Sequence, residues 1–92
     1  MKTIFSYNMT AYQNALSDLC GLNRSDCAKK ANMSKGQWSD LLNGKIPNPR
    51  LWTCVRVAET LNVSLDALVT TNPKERSNAI IACVKNSKPE GR

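Results

Sequence analysis

Apolar residues recur along this chain at helical intervals, and no stretch alternates as a strand would. Tyr12, Ala15, Leu16, Leu19 and Leu22 repeat at i, i+3, i+4, i+7 and i+10, one face of an amphipathic helix. A first helix is therefore predicted, opened by a Thr10–Gln13 capping box and running to about Cys20, where Gly21 stops it. Residues 1–8 carry Ile4 and Phe5 without a clear period, and form either an N-terminal arm or an extension of that helix. Asn23 or Ser25 can cap a short second helix, with Cys27, Ala28 and Ala31 inward and Lys29 and Lys30 outside. "ANMS" breaks it, because Asn32 accepts a left-handed turn and Met33 closes that turn. Ser34 then caps a third helix, "SKGQWSDLLNG", in which Trp38 and Leu41 face inward and Gly44 ends the run.

"KIPNP" reads as a loop, and Pro49 suits the first turn of a fourth helix. Leu51, Cys54, Val55, Ala58 and Leu61 mark the buried face of that helix, with Val57 beside them, and Asn62 ends it. Ser64 caps a short fifth helix with Leu65, Leu68 and Val69 apolar. "TTNP" is a break, and a sixth helix over residues 73–86 carries Ile80, Ile81, Cys83 and Val84. Residues 87–92 read as a flexible tail. The expected class is all-α, with no internal repeat.

Composition adds a direction to this pattern. The 92 residues suit one small domain, and a hydrophobic fraction of 41% argues against disorder. The formal charge is +6 and the pI near 9.4. Between Arg24 and Arg56, seven basic residues stand against Asp26 and Asp40, a net +5 concentrated on the second to fourth helices. Such a concentration favours a polyanionic partner such as nucleic acid.

Other chemistry finds little support. Cys20, Cys27, Cys54 and Cys83 show no C-x-x-C spacing and the chain has no histidine, so no metal site is expected. Cys27 and Cys54 fall at apolar positions, as reduced cysteines in a core would. Acid–base and thiol catalysis lack a histidine partner, and no loop is built to cradle phosphate, so neither an enzyme nor a cofactor is expected. No apolar run is long enough to cross a bilayer. "MKTIF" begins like a signal peptide, but "SYNMTAYQN" is too polar to continue one; a cytoplasmic protein is expected.

Residues 22–44, "LNRSDCAKKANMSKGQWSDLLNG", resemble the helix-turn-helix of the lambda-repressor-like family, which includes phage Cro and repressor proteins and small bacterial regulators. Ala28 matches the small residue where the two helices cross; Asn32, Met33 and Ser34 match the glycine–hydrophobe–serine turn; Trp38 and Leu41 match the buried positions of the recognition helix. The similarity continues through "NPRLWTCVRVAETLNVSLDALV", residues 48–69. It implies a five-helix domain over residues 9–72, to which the sixth helix is added. Asn32 replaces the usual turn glycine, and "KIPNPR" is a residue longer than usual. Leu42 stands where the family often has a glutamate paired with an arginine of the first helix; that partner position is Ser17, so both halves of the pair are absent.

The resemblance implies a sequence-specific regulator of phage or bacterial type, dimeric on a palindromic operator in double-stranded DNA, with the third helix in the major groove. Base reading falls to Lys35, Gly36, Gln37 and Asp40. Lysine can donate to guanine, glutamine can bond adenine at two points, and aspartate can accept from cytosine. Asp40 either makes that cytosine contact or pairs with a nearby lysine, and Gly36 lets the backbone come close. Phosphate contacts fall to Arg24, Ser34, Asn43, Lys45 and Arg50, together with free amides at the start of the second helix. Trp38 belongs to the core rather than to a base stack, while Trp52 either packs on the C-terminal segment or makes a dimer contact. Ile80, Ile81 and Val84 are the candidate dimer interface, unless the sixth helix packs wholly on its own core; Leu42, if exposed, is another. An antitoxin or similar interaction protein of the same fold, binding a protein partner through its C-terminal segment, is the alternative.

Overall fold

A computed structural model describes residues 3–87, and among these the chain is all-helical. Six helices follow in order: α1 (Ile4–Cys20), α2 (Arg24–Lys30), α3 (Lys35–Leu42), α4 (Leu51–Leu61), α5 (Leu65–Val69) and α6 (Pro73–Ser87). Helix α1 runs through the centre and packs against α3, α4, α5 and α6, while α2 lies against α3 and α4. No helix among the described residues is long and apolar enough to cross a membrane.

The start of α1 corrects the expected capping box. Thr3, not Thr10, is the cap: its hydroxyl accepts from the Ser6 amide at 3.1 Å, and the Ser6 hydroxyl accepts from the Thr3 amide at 2.8 Å. Residues 4–8 thus extend the helix, and Phe5, Met9, Tyr12 and Leu16 form its buried stripe. The stripe was hard to see because Ser6, Asn8 and Gln13 are buried beside it. Leu19 does not continue it: Leu19 is 63% exposed, and Cys20 packs on the core instead. Gly21, at φ 69°, ends α1, and its amide and that of Leu22 both reach the Leu16 carbonyl.

Helices α2 and α3 begin and end on local signals. The Asn23 side chain accepts from the Asp26 amide at 2.9 Å, and the Asp26 carboxylate accepts from the Asn23 amide at 3.1 Å, so Asn23 rather than Ser25 is the cap. Asn32 takes φ 58°, and the Met33 amide bonds the Ala28 carbonyl at 2.9 Å, turning the chain sharply. The Ser34 hydroxyl accepts from the Gln37 amide at 3.1 Å. Trp38, Leu41 and Leu42 are buried, and Gly44 takes φ 76° just after the helix.

In α4 the boundary and the buried face shift. Arg50 is the cap residue, without a side-chain cap bond, so Pro49 precedes the helix rather than sitting in its first turn. Val57, Ala58, Thr60 and Leu61 are buried, Cys54 and Val55 are half-buried, and Leu51 is 67% exposed. Ser64 caps α5 by accepting from the Ala67 amide at 3.2 Å. Ala67 and Leu68 are its buried residues, and the apolar Leu65 and Val69 are exposed.

Polar bonds hold the C-terminal half to α1. The buried Asn8 amide donates to the Leu68 and Thr70 carbonyls, both at 3.0 Å, and its oxygen accepts from Arg76. The Arg76 guanidinium also lies 4.7 Å from the Tyr7 ring centroid. The Tyr12 hydroxyl donates to the Ala67 carbonyl at 2.6 Å. No buried side-chain nitrogen or oxygen among the described residues lacks a partner. Ser87 closes α6, its hydroxyl accepting from the Asn62 side-chain amide at 2.9 Å, so it is not part of a tail. The rest of the expected tail, residues 88–92, lies outside the described residues, as do residues 1 and 2.

Candidate nucleic-acid interface

The third helix divides cleanly by face. Trp38, Leu41 and Leu42 bury one side, and the exposed Lys35, Gly36 and Gln37 form its first turn. Three of the four predicted base-reading residues therefore come together, and Asp40 lies one turn further on, half-buried. A methyl group built on Gly36 would meet no atom within 4 Å. Nothing inside the fold demands glycine there, although glycine in a helix costs up to about 1 kcal/mol relative to alanine.

Arginines flank this turn on both sides. Arg24, exposed at the start of α2, lines a shallow depression with Asn23, Ser25 and Lys35. Arg50, exposed at the start of α4, lines a second depression with Gln37, Ile46, Asn48 and Thr53. The turn through Asn32 creates the first juxtaposition by folding α3 back beside α2; the "KIPNP" loop creates the second. Asn43 and Lys45 are exposed at the opposite end of α3, separate from these arginines along the helix. Ser34 is exposed, but its hydroxyl already caps the Gln37 amide. The expected amide site at the start of α2 is partly taken by the chain itself, because the Asn23–Asp26 box binds two amides there, those of Asn23 and Asp26, and brings in a carboxylate.

Several expectations change here. Leu42 is 1% exposed, so it is a core residue and not a surface contact. Its carbonyl accepts from the Thr10 hydroxyl at 3.0 Å, and the Ser17 hydroxyl bonds the Leu22 carbonyl at 3.0 Å. Trp52 is 78% exposed and is not among the hydrophobic residues packed against the core. Lys30 and Arg56 share a depression with Glu59 on the α2–α4 side, a pairing that linear spacing did not suggest.

Gln13 is the residue whose role the pattern hid. It is buried, and its oxygen accepts from the Trp38 indole nitrogen at 2.8 Å. A polar residue inside the Met9–Leu16 stripe was the available signal. Burial pushes the Cys27 thiol up, with the adjoining Gln13 amide opposing the shift. Burial likewise pushes Cys83 up to about 12 and raises Cys54, so these thiols are held in the unreactive form. All four cysteines are free, and the described residues contain no metal-binding cluster.

The candidate dimer residues also meet. Ile80 and Val84 are half-buried against α1, while Ile81 is 65% exposed; with Leu19 they line an apolar depression rimmed by Lys85. No protein-family model matches the chain, and no curated protein or solved structure matches it either.

Proposed function

We propose that this chain is a sequence-specific regulator of transcription with a lambda-repressor-like fold, which lays α3 in the major groove of double-stranded DNA. The observation that carries the reading is the first turn of α3, where exposed Lys35 and Gln37 stand between Arg24 and Arg50. Base-edge donors flanked by phosphate-binding cations are what a groove reader needs: cations set register, and the residues between them read sequence. The net +5 over residues 24–56 supports the same reading. Lys35, Gly36 and Gln37 read bases, with Asp40 at the edge of the contact; Arg24, Arg50, Ser34, Asn43 and Lys45 hold phosphates. The role is that of a cytoplasmic repressor or Cro-like protein without catalytic chemistry.

The protein binds a palindromic operator as a dimer, since two weak half-site readers related by a two-fold axis reinforce each other. The Ile80, Ile81 and Val84 surface, joined by Leu19, supplies the contact. The same exposed apolar surface supports a second reading, an antitoxin-like protein whose α6 binds another protein.

Selection of bound duplexes from a random DNA library tests the proposal. Enrichment of a two-fold symmetric site supports it; enrichment of nothing overturns it. Light scattering separates the two uses of α6, because a dimer is expected with DNA alone, whereas the second reading requires a different protein.

A further inference from the structure

The Gln13 side chain, on α1, bonds both α3 and the segment that leads into α2. Its Oε1 accepts from the Trp38 indole of α3 at 2.8 Å. Its Nε2 donates to the Leu22 carbonyl just before α2 at 3.0 Å and to the Ser17 hydroxyl oxygen at 3.1 Å. The Ser17 hydroxyl then donates to the same Leu22 carbonyl at 3.0 Å. The amide is buried, so water does not compete for these bonds.

Apolar packing decides which face of α3 is buried, but the hydrophobic effect has no direction and leaves the fine roll less sharply set. A buried hydrogen bond sharpens it, and Trp38 immediately follows Gln37 in the same turn that carries Lys35. A helix with side chains is about 10–12 Å across, so a roll of about 10° moves a surface group by about 1 Å, enough to spoil a base contact.

We propose that Gln13 is a positioning residue for base recognition: by holding Trp38 and the Leu22 carbonyl together, it sets the roll of α3 against α2, and so which base edges Lys35 and Gln37 reach. The role rests on the DNA-reading proposal above. Gln13 touches no DNA itself. Its loss therefore changes the choice of sequence more than the general attraction to DNA, which comes from surface cations.

The test compares Gln13→Met, close in volume but unable to make these bonds, with Trp38→Phe, which removes the indole donor together with part of the buried ring. Asn8→Ala is the control, a buried amide on the same helix bonded instead to Leu68 and Thr70. Affinity is measured for the selected duplex and for a scrambled one, alongside thermal unfolding. Gln13→Met is expected to lose about 10-fold or more on the selected duplex and less than about 2-fold on the scrambled one, with the double variant no worse than the worse single. Asn8→Ala should lower the melting temperature and keep the ratio of the two affinities. Should Gln13→Met fail to fold, the ratio in Trp38→Phe decides. Equal losses on both duplexes, or the same change of ratio in Asn8→Ala, overturn the positioning role while leaving DNA reading intact. An unaltered protein that selects no duplex overturns both.

Discussion

The Thr10 hydroxyl donates to the Leu42 carbonyl at 3.0 Å, tying the central helix to the last turn of α3. Leu42 itself is buried beside Leu41, so that end of α3 is held by packing and by one hydrogen bond rather than by charge. Leu42→Ala should destabilise the fold by about 2–5 kcal/mol, and Thr10→Ala by about 1 kcal/mol. Leu42→Glu should cost more than Leu42→Ala, because Ser17 offers no charge to meet a buried carboxylate. Urea unfolding of the three variants checks the order.

Gly36 separates stability from binding. With open space above it and an ordinary helical backbone, Gly36→Ala should raise stability by about 0.5–1 kcal/mol. On the selected duplex it should weaken binding, since in the proposed complex the new methyl group would stand between the α3 backbone and the groove. A variant more stable and equally tight would remove Gly36 from the interface.

Gln37 and Arg24 should fail in different ways. Gln37→Ala is expected to cost roughly 1–3 kcal/mol on the selected duplex and to relax preference at one base position. Arg24→Ala should weaken selected and scrambled duplexes alike and reduce the salt dependence of binding by about one unit of slope. Titrations at several salt concentrations distinguish them; matching behaviour of the two variants would contradict the division between bases and phosphates.

The buried Cys83 gives the fold an alkaline limit. Its thiol is pushed up to about 12 by burial, from an ordinary value of 9.0. Below pH 9 both folded and unfolded chains keep the proton, so stability is unaffected. Above pH 9 the unfolded chain releases it first, and stability should fall progressively towards pH 12. Tyr12, raised from 10.0 by burial, adds the same sign at higher pH. Urea unfolding between pH 8 and 11 should show the decline, and Cys83→Ala should flatten it.

Ile81 probes the apolar depression without disturbing the core. Because Ile81 is mostly exposed, Ile81→Lys should leave the unfolding free energy of the monomer nearly unchanged, within about 0.5 kcal/mol. Light scattering should nevertheless show loss of the proposed dimer, and binding to the selected duplex should weaken with it.

Local chemistry was legible wherever a short-range signal acts alone. Asn32, Ser34, Gly44, Asn62 and Ser64 do their work within a few residues, and each sits where the pattern put it, while the pattern left the α2 cap open between Asn23 and Ser25. The split of α3 into a buried Trp38–Leu41 side and an exposed Lys35–Gln37 turn was legible for the same reason: periodicity is a property of one helix. Tertiary structure decided what depends on partners distant in the chain. Asn8 and Gln13 look like surface residues until Leu68, Thr70, Leu22 and Trp38 supply their bonds. Leu19 and Leu51 look like core residues, but Cys20 packs against the core in place of the first and Val57 is buried in place of the second. Arg24 and Arg50, far apart in sequence, flank one helical turn because a left-handed Asn32 and the "KIPNP" loop carry the chain back past it. Side-chain periodicity says which face of a helix is apolar; only packing says which buried polar groups are satisfied and which distant charges share a surface.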